Sequence, residues 1–210
     1  MYEPPHFRVA SRDQALDFVE ARTFGLLVSA DADGPVADPL PFLLDRAGGR
    51  LLAHVARANP QWRVVEAAGR ALAVFSGADA YVSPSHYAAK REHGRVVPTW
   101  NYMVAQVRGR AVVHHDADWL GRQVRALTAA HEAGRAAPWT VDDAPADFVA
   151  AQLRAIVGIE IALDEVTAKF KLSQNRAAAD RDGVARGLAG ESGGAAEIAR
   201  EVEARSGGSP

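Results

Sequence analysis

Short strand-like segments joined by tight turns constrain the fold of this chain more than any other feature. Three apolar segments come first, at residues 24–29, 36–44 and 50–55. The glycine-containing turns 31–34 and 47–49 between them are too short for crossovers, so these strands are predicted to run antiparallel. Three more strand-like patterns follow at residues 71–75, 80–82 and 96–113. Gly109 marks a predicted bulge or bend in the last one. About six short strands predict a small antiparallel barrel.

Helical patterns lie before and after these strands. The sequence Ser-Arg-Asp-Gln at residues 11–14 is a capping box and predicts a helix to about residue 22. Further helices are predicted at residues 118–133 and 145–157, followed by strand character at residues 159–172. We therefore predict an α+β protein, an antiparallel barrel with flanking helices. Its domain should span residues 1–188, and residues 189–210 should form a short mobile tail around a small helix.

Composition excludes several classes of protein. The chain has 210 residues and no cysteine, which excludes disulfides and zinc–thiolate sites and suits a reducing cytosol. The N-terminus lacks a signal-peptide pattern, and no apolar run approaches the roughly 20 residues of a membrane helix. We therefore predict a cytoplasmic protein without membrane contacts. The net charge of -2 offers no basic excess for binding DNA.

A helix start after the third strand has the form of a phosphate site. Asn59 is a typical N-cap, and Pro60 suits the first helical position. The free N–H groups of this helix would point beyond the strand at residues 50–55, where they could bind a phosphate. Arg57 could add a charge-assisted hydrogen bond. The alternative is an ordinary capped surface helix with an arginine nearby.

Two polar clusters adjoin strand-like sequence elsewhere. Residues 96–102 include Trp100 and Asn101, and residues 171–176 include Gln174 and Asn175. Core packing does not call for these side chains, because buried polar groups cost free energy unless they are paired. A planar, anionic ligand with a polar rim would supply partners. The alternative is that Trp100 belongs to the core and Lys171 is a surface charge.

Other combinations lack the spacing that their chemistry requires. His131 is not followed by a second histidine four residues later, so a zinc-protease helix is excluded. The His-His-Asp sequence at residues 114–116 is better explained as a solvated helix cap than as a metal site. No nucleophile elbow surrounds Ser83 or Ser85. We therefore predict neither a metal site nor a hydrolase.

Taken together, six motifs resemble those of the PaiB-like family of FMN-binding negative transcriptional regulators. They cover the chain in order to about residue 188: Met-Tyr-x-Pro-x-His-Phe at 1–7, Pro-Phe-Leu-Leu at 41–44, His-Val-Ala-Arg-Ala-Asn-Pro at 54–60, Asp-Ala-Tyr-Val-Ser-Pro at 79–84, Pro-Thr-Trp-Asn-Tyr at 98–102 and Lys-Leu-Ser-Gln-Asn-Arg at 171–176. The resemblance implies an FMN-binding split barrel and a homodimer with FMN at the subunit interface. His86 departs from the family, where an aromatic residue is expected.

The resemblance also implies which residues bind the cofactor. The turn from His54 and Val55 to Gln61 would hold the phosphate, through Arg57, Asn59 and Gln61. The other expected contacts are Pro41, Phe42 and Leu43 beside the isoalloxazine, Thr99, Trp100 and Asn101 at its rim, and Lys171, Ser173, Gln174 and Asn175 closing the site.

Three functions remain open at this stage. The first is a flavin-responsive transcriptional regulator that contacts DNA or another regulator. The second is an FMN-dependent oxidoreductase that acts on an unknown small molecule. The third is haem binding, with His54 or another histidine as the axial ligand.

Overall fold

The computed structural model describes residues 1–206, which contain an antiparallel sheet with flanking helices. The strands are β1 (Phe24–Asp31), β2 (Gly34–Pro41), β3 (Leu43–Asp45), β4 (Arg50–Ala56), β5 (Arg70–Val82), β6 (Thr99–His114), β7 (Ile156–Ala162) and β8 (Glu165–Lys171). The helices are α1 (Arg12–Ala21), α2 (Gln61–Ala68), α3 (Ala89–Glu92), α4 (Ala117–Glu132), α5 (Ala146–Arg154), α6 (Ala178–Ala189) and α7 (Ala195–Ser206). Short 3₁₀ turns cover Pro5–Phe7, Pro84–His86 and Val141–Asp143. The predicted α+β class is confirmed.

The strands follow the order β2-β1-β5-β6-β7-β4-β3, and β8 pairs with β6. The pairs β1–β2, β1–β5, β3–β4, β4–β7 and β6–β7 are antiparallel, as the short turns predicted. β2 contains Pro35, Pro39 and Pro41 and lies at one end of this order. Proline cannot donate a ladder hydrogen bond, so an edge position suits this strand.

The chain divides into two compact units. The first unit contains residues 1–15, 76–105 and the chain from 167 onward, and the second contains residues 16–75 and 106–166. In the second unit the core includes Leu27, Phe42, Phe75 and Ile159, none more than 1% exposed. In the first unit, Val184, Leu188 and Ile198 have no exposed surface.

Four predicted strands were wrong in their boundaries. The predicted strand at residues 36–44 is interrupted at Phe42, because its N–H donates to the Thr23 carbonyl at 2.7 Å and its ring packs edge-on against Phe75. The two predicted strands at residues 71–75 and 80–82 form one continuous strand, β5. The predicted strand at residues 159–172 is divided into β7 and β8.

Gly109 is needed for close packing and does not interrupt β6. A Cβ atom at this position would lie 1.8 Å from the carbonyl oxygen of Ala162. No side chain larger than hydrogen fits there unless the backbone moves. The predicted significance of this glycine therefore lies in a close approach of two backbones.

The C-terminal segment forms a packed helix where we expected a mobile tail. In α7, Ala195, Ile198, Ala199 and Val202 are buried. An unpacked tail would leave this apolar face exposed. The domain boundary at residue 188 remains a prediction, and the part of the tail at residues 207–210 lies outside the described residues.

Within the described part of the chain, no helix is both long and apolar enough to cross a membrane.

Candidate functional site

The predicted helix start exists, and Asn59 fixes its geometry. The Asn59 side-chain oxygen accepts a hydrogen bond from the Gln61 N–H at 2.8 Å, while the N-cap position itself is Pro60, one residue later than predicted. Its side-chain nitrogen donates to the Asp38 carboxylate at 2.6 Å. Both ends of the amide therefore have partners within the second unit. We call residues 54–61 the α2 turn.

Arg57 joins the α2 turn to the end of α5. Its Nε donates to the Arg154 carbonyl at 2.7 Å and its Nη2 donates to the Ile156 carbonyl at 2.8 Å. Its Nη1 lies 3.2 Å from Nδ1 of His115. A guanidinium has five N–H donors, so two of them are left for a ligand. Arg57 thus has a structural function that the sequence did not indicate.

Gln61 belongs to the core of the second unit. It is 1% exposed, and its Nε2 donates to the carbonyls of Leu27 at 2.8 Å and Val36 at 3.3 Å. Its Oε1 has no partner among the described residues. These hydrogen bonds fix α2 to β1 and β2. The predicted phosphate contact of Gln61 remains a prediction, but its amide group already binds backbone.

The residues predicted beside the flavin ring differ in how accessible their side chains are to a ligand. Val55 and Phe42 are 2% and 1% exposed, so their side chains belong to the core. Leu43 pairs with Leu52 in the β3–β4 ladder, and Pro41 pairs with Phe24. Backbone contacts are the remaining way for this segment to bind a ligand.

His54 lines an apolar cavity in the second unit. The cavity has a volume of about 250 Å³, and its other lining residues include Trp139, Phe148 and Leu153. Nδ1 of His54 lies 2.9 Å from Oε1 of Gln123, and a proton on Nδ1 would leave Nε2 as an acceptor. Burial lowers the pKa of His54 below its ordinary value. The imidazole is therefore neutral at pH 7.

The two predicted polar clusters meet in one small pocket of the first unit. This pocket, called here the Lys171 pocket, has a volume of about 60 Å³ and is lined by Tyr87, Thr99, Asn101, Lys171, Ser173, Asn175 and Arg176. β6 carries Thr99 and Asn101, and Lys171 ends β8. The two clusters lie far apart in sequence, and the pairing of β8 with β6 brings them together.

A buried amide–hydroxyl pair forms one wall of the Lys171 pocket. Asn101 is fully buried, and its Nδ2 donates to Oγ of Ser173 at 3.0 Å. Ser173 has a positive φ of 64°, a conformation that non-glycine residues rarely adopt. Its carbonyl accepts the N–H of Arg176 at 2.9 Å, which closes the turn after β8.

Lys171 points to the backbone and hydroxyl groups of β6. Its Nζ donates to Oγ1 of Thr99 at 2.6 Å and to the Trp100 carbonyl. Burial is the largest cause that lowers the pKa of Lys171, and repulsion by Lys169 and Arg176 lowers it further. An ammonium has three donors, so one remains. The alternative that Lys171 is only a surface charge does not fit these contacts.

Gln174, Asn175 and Trp100 differ in their surroundings. Gln174 closes the turn itself, since its Oε1 accepts the Leu172 N–H at 2.7 Å and its Nε2 donates to the Phe170 carbonyl at 2.6 Å. Asn175 is exposed at the rim of the pocket. Trp100 is 53% exposed, which excludes the alternative that it is a core residue.

Tyr87 and Arg176 were absent from the predicted site. Tyr87 is 1% exposed, and its hydroxyl has no hydrogen-bond partner among the described residues. The Arg176 guanidinium lies 4.8 Å from the centroid of the Tyr87 ring. Burial raises the pKa of Tyr87, while the positive charge of Arg176 lowers it. Arg176 ends the motif at residues 171–176, and this position was the available sequence signal.

His86 packs closely against two glycines of α6. The His86 ring occupies the space that a Cβ of Gly187 would need, with ring atoms 2.5 Å from that position. Gly183 similarly faces the His86 carbonyl, 2.0 Å from its Cβ position. The two glycines therefore let α6 approach this turn. Within residues 1–206, no cluster of His, Cys, Asp or Glu is arranged to hold a metal ion.

The antiparallel strand order and flanking helices place the protein in the class of split-barrel folds found in flavoproteins. It resembles the FAD and haem binding protein of Mycobacterium smegmatis with a TM-score of 0.59 and 19% identity, over 78% of this chain and 73% of that one. It also resembles the flavocytochrome Anf3 of Azotobacter vinelandii, with a TM-score of 0.57 and 15% identity, over 78% and 69% of the two chains.

The chain belongs to the family described as "Putative FMN-binding domain", which it matches over residues 1–165. One relative is the protease synthase and sporulation protein PAI 2 of Bacillus subtilis (strain 168). It is 33% identical over 178 residues, which cover 84% of this chain and 83% of the relative. The resemblance to the PaiB-like family is therefore confirmed.

Proposed function

We propose that this protein binds FMN and functions as a flavin-dependent redox or regulatory protein. The observation that carries the proposal is that the FMN-binding family match, residues 1–165, includes the α2 turn and the start of α2. A helix start attracts phosphate through backbone N–H groups and the helix dipole. In α2 the Gln61 N–H already donates to Asn59 and the Arg63 N–H to the Pro60 carbonyl, so Arg57 carries most of the proposed contact. Arg57 has two further N–H donors for the same group.

The bound flavin would supply hydride or single-electron transfer, and the chain would supply position and charge. Arg57 and the first N–H groups of α2 would hold the phosphate. Thr99, Trp100 and Asn101 are proposed to contact the ring, and Lys171, Ser173, Gln174 and Asn175 are proposed to close the site. Pro41, Phe42 and Leu43 would contribute through their backbone.

The comparison of FMN with riboflavin tests the phosphate assignment. Arg57→Ala should weaken FMN about tenfold or more and leave riboflavin unchanged, because riboflavin has no phosphate. Affinities come from flavin fluorescence titration at a temperature where circular dichroism shows the variant folded. Arg122→Ala, an exposed arginine on α4, is the matched control for loss of charge. Equal losses for both flavins would place the phosphate elsewhere.

Regulation and enzymatic turnover can be separated by two measurements. The net charge of -2 argues against DNA binding through phosphate contacts. We therefore expect no salt-dependent shift of promoter DNA. A redox protein should instead oxidise reduced nicotinamide in the presence of FMN, as seen in the loss of nicotinamide absorbance. A salt-dependent DNA shift without turnover would favour the regulator.

A homodimer is part of the proposal. Phe24 and Leu26 are 65% and 40% exposed on one face of β1, and the facing residue of Leu26 on β2 is Pro39. An apolar strand face of this kind suits a twofold interface. Light scattering should give a dimer at micromolar concentration. Leu26→Asp should give a monomer, while Val97→Asp, at a position 64% exposed in the first unit, should not.

Haem binding is a second candidate, supported by His54. A neutral imidazole with Nε2 unprotonated at an apolar cavity is suited to ligate iron. The cavity of about 250 Å³, however, is smaller than the roughly 300–1,000 Å³ of typical cofactor sites. Haem would therefore require the cavity to open. A Soret band that appears on haem titration and is absent in His54→Ala would favour haem over FMN.

A further inference from the structure

We propose that Lys171, Arg176 and the hydroxyl of Tyr87 form a binding site for a small oxyanion, a carboxylate or phosphate group. The proposal goes beyond the proposed function, which places Lys171 at the edge of the flavin site and gives no role to Arg176 or Tyr87. Lys171 and Arg176 also lie beyond residue 165, where the family match ends.

The positive charges of the Lys171 pocket have no carboxylate partner. Among the described residues, neither Lys171 nor Arg176 forms an ion pair with Asp or Glu. The nearest acidic group identified by its influence on Tyr87 is Asp180, whose Oδ1 accepts the Ala89 N–H at 3.0 Å. Lys169 adds a third positive charge near Lys171. Cations brought together without counter-charges are an arrangement that an anion stabilises.

The hydroxyl of Tyr87 is a donor without an acceptor. Tyr87 is 1% exposed and lines the pocket, and its OH has no acceptor among the described residues, because the neighbouring Arg176 can only donate. A buried hydroxyl without a partner destabilises the fold, so such groups need an explanation. Its raised pKa keeps the phenol protonated, which makes it a donor. An oxyanion would accept this hydrogen bond and the remaining N–H groups of Lys171 and Arg176.

The wall of the pocket is held rigidly. Ser173 keeps a positive φ of 64° through its hydrogen bonds to Asn101 and Arg176. Unfavourable backbone conformations of this kind cluster at ligand sites, where the surrounding contacts hold them in place. Asn101 and Ser173 use their polar atoms on each other. We therefore assign them a positioning role and assign binding to Lys171, Arg176 and Tyr87.

The volume of the pocket limits what can enter. About 60 Å³ is several times less than the roughly 300–1,000 Å³ of typical cofactor sites. A carboxylate or phosphate group suits this space better than a whole cofactor. The ligand is thus a small oxyanion or the terminal group of a larger molecule whose remainder stays outside.

Titration calorimetry of the full chain with inorganic phosphate and, separately, with acetate tests the site. Ionic strength is kept constant with chloride. At least one of the two anions should bind saturably. Arg176→Gln should weaken that binding about tenfold or more, since it removes a charge-assisted hydrogen bond. Arg200→Gln, an exposed arginine on α7, should bind like the parent.

Tyr87→Phe is a second variant that tests the site even if Arg176→Gln does not fold. The variant retains the buried ring and removes only the hydroxyl, so its melting temperature should equal or exceed that of the parent. Its oxyanion affinity should nevertheless fall. A purely structural hydroxyl would instead give a lower melting temperature. The proposal is overturned if neither anion binds saturably, or if Arg176→Gln and Tyr87→Phe both bind like the parent.

The same experiment separates the sources of the oxyanion. Preference for phosphate indicates a phosphate monoester, and preference for acetate indicates a carboxylic acid. FMN and riboflavin titrations of Arg176→Gln then test the flavin itself. A loss confined to FMN would assign the pocket to the flavin phosphate, and unchanged affinity for both flavins would assign it to another molecule.

Discussion

The α2 turn and the Lys171 pocket were both predicted as polar ligand sites, but their side chains are used differently. In the α2 turn, Arg57 and Asn59 donate to groups of the chain itself, and Gln61 is buried against two strands. In the Lys171 pocket, the Tyr87 hydroxyl has no described partner and Arg176 has no carboxylate. A polar motif can thus be mainly structural. Gln61 Oε1 also lacks a partner, so the clearer difference is one of charge, since only the Lys171 pocket gathers several cations without a carboxylate.

Loss of Arg57 should produce the largest destabilisation. Arg57→Ala removes two hydrogen bonds from a guanidinium to main-chain carbonyls, besides the contact with His115. We expect the free energy of unfolding to fall by about 3 kcal/mol, or roughly 6–12 °C in melting temperature for a chain of this size. Chemical denaturation measures the change.

Arg57→Lys is the control for this prediction. Lysine keeps the charge but cannot hold both carbonyls with a planar fork, so its loss should be intermediate. If Arg57→Ala melts like the parent but loses FMN, the α2 turn is a ligand site and the contrast with the Lys171 pocket disappears.

Loss of Asn101 should give the second-largest destabilisation, because its hydrogen bond with Ser173 holds the wall of the Lys171 pocket. A residue satisfied only by ligand would contribute little to the unliganded fold. The amide is instead fully buried and paired with Ser173. Asn101→Ala leaves that hydroxyl without its partner and should cost about 2 kcal/mol of stability. Thermal unfolding without ligand checks it.

A double-mutant cycle of Asn101→Ala and Ser173→Ala isolates this hydrogen bond. The double variant should be less destabilised than the sum of the two single variants. Additive losses would mean that Asn101 acts through contacts other than Ser173, and its amide would then return to the set of candidate ligand contacts.

Local patterns predicted most of the fold and part of the site. The Ser11 hydrogen bond at the start of α1, the β1–β2 hairpin and the Asn59 hydrogen bond at the start of α2 depend on residues close in sequence, and the structure contains each of them. The interruption at Phe42 and the second function of Arg57 depend on distant partners, Phe75 and Arg154. Such tertiary contacts leave no local periodicity to recognise.

The motif resemblance located the Lys171 pocket but not all of its residues. Tyr87 and Arg176 become neighbours only through the packing of the first unit. Neither residue carries a sequence signal for an unpaired hydroxyl or an unpaired charge, because both properties concern missing partners. Their proposed role in binding an anion therefore follows from the structure, which shows that Tyr87 is buried and that Arg176 lies beside it.

Asn59 should have a smaller effect than Asn101. Asn59→Ala removes the hydrogen bond to the Gln61 N–H and the partner of Asp38, and should lower the free energy of unfolding by about 1 kcal/mol. Asn59→Ser keeps an acceptor for the Gln61 N–H without the Asp38 contact and should recover most of the loss. Urea denaturation measures the stability of both variants, whose m values should not change. Equal losses in the two variants would mean that the Asp38 contact stabilises the turn more than the contact with Gln61 does.

Trp100 should contribute little to stability although it lies beside Asn101. It is 53% exposed and meets Tyr81 edge-on at 6.0 Å between ring centroids. Trp100→Ala should therefore cost less than about 1 kcal/mol, against the roughly 3–5 kcal/mol of a core aromatic residue. If Trp100 contacts flavin, its fluorescence should fall on FMN binding and Trp100→Phe should alter the flavin spectrum. Thermal unfolding and fluorescence titration check both statements.

The contribution of Lys171 to the pH dependence of stability should be the smallest effect. It should also best distinguish an empty pocket from one that holds an anion. Burial, with repulsion by Lys169 and Arg176, lowers the pKa of Lys171 below its ordinary 10.5. The unfolded chain then binds more protons than the folded one between the folded pKa and 10.5, so stability rises with pH in that window. The stabilising contribution of Lys171 is complete above pH 10.5, and it is lost as the pH falls through the pKa of Lys171 in the folded protein. The difference in unfolding free energy between the parent and Lys171→Met should therefore rise with pH over this range.

A saturating concentration of oxyanion should flatten this rise, because an anion in the pocket favours the charged lysine and raises its pKa. A difference that does not change with pH, with or without anion, would mean that Lys171 is as solvated as a surface lysine.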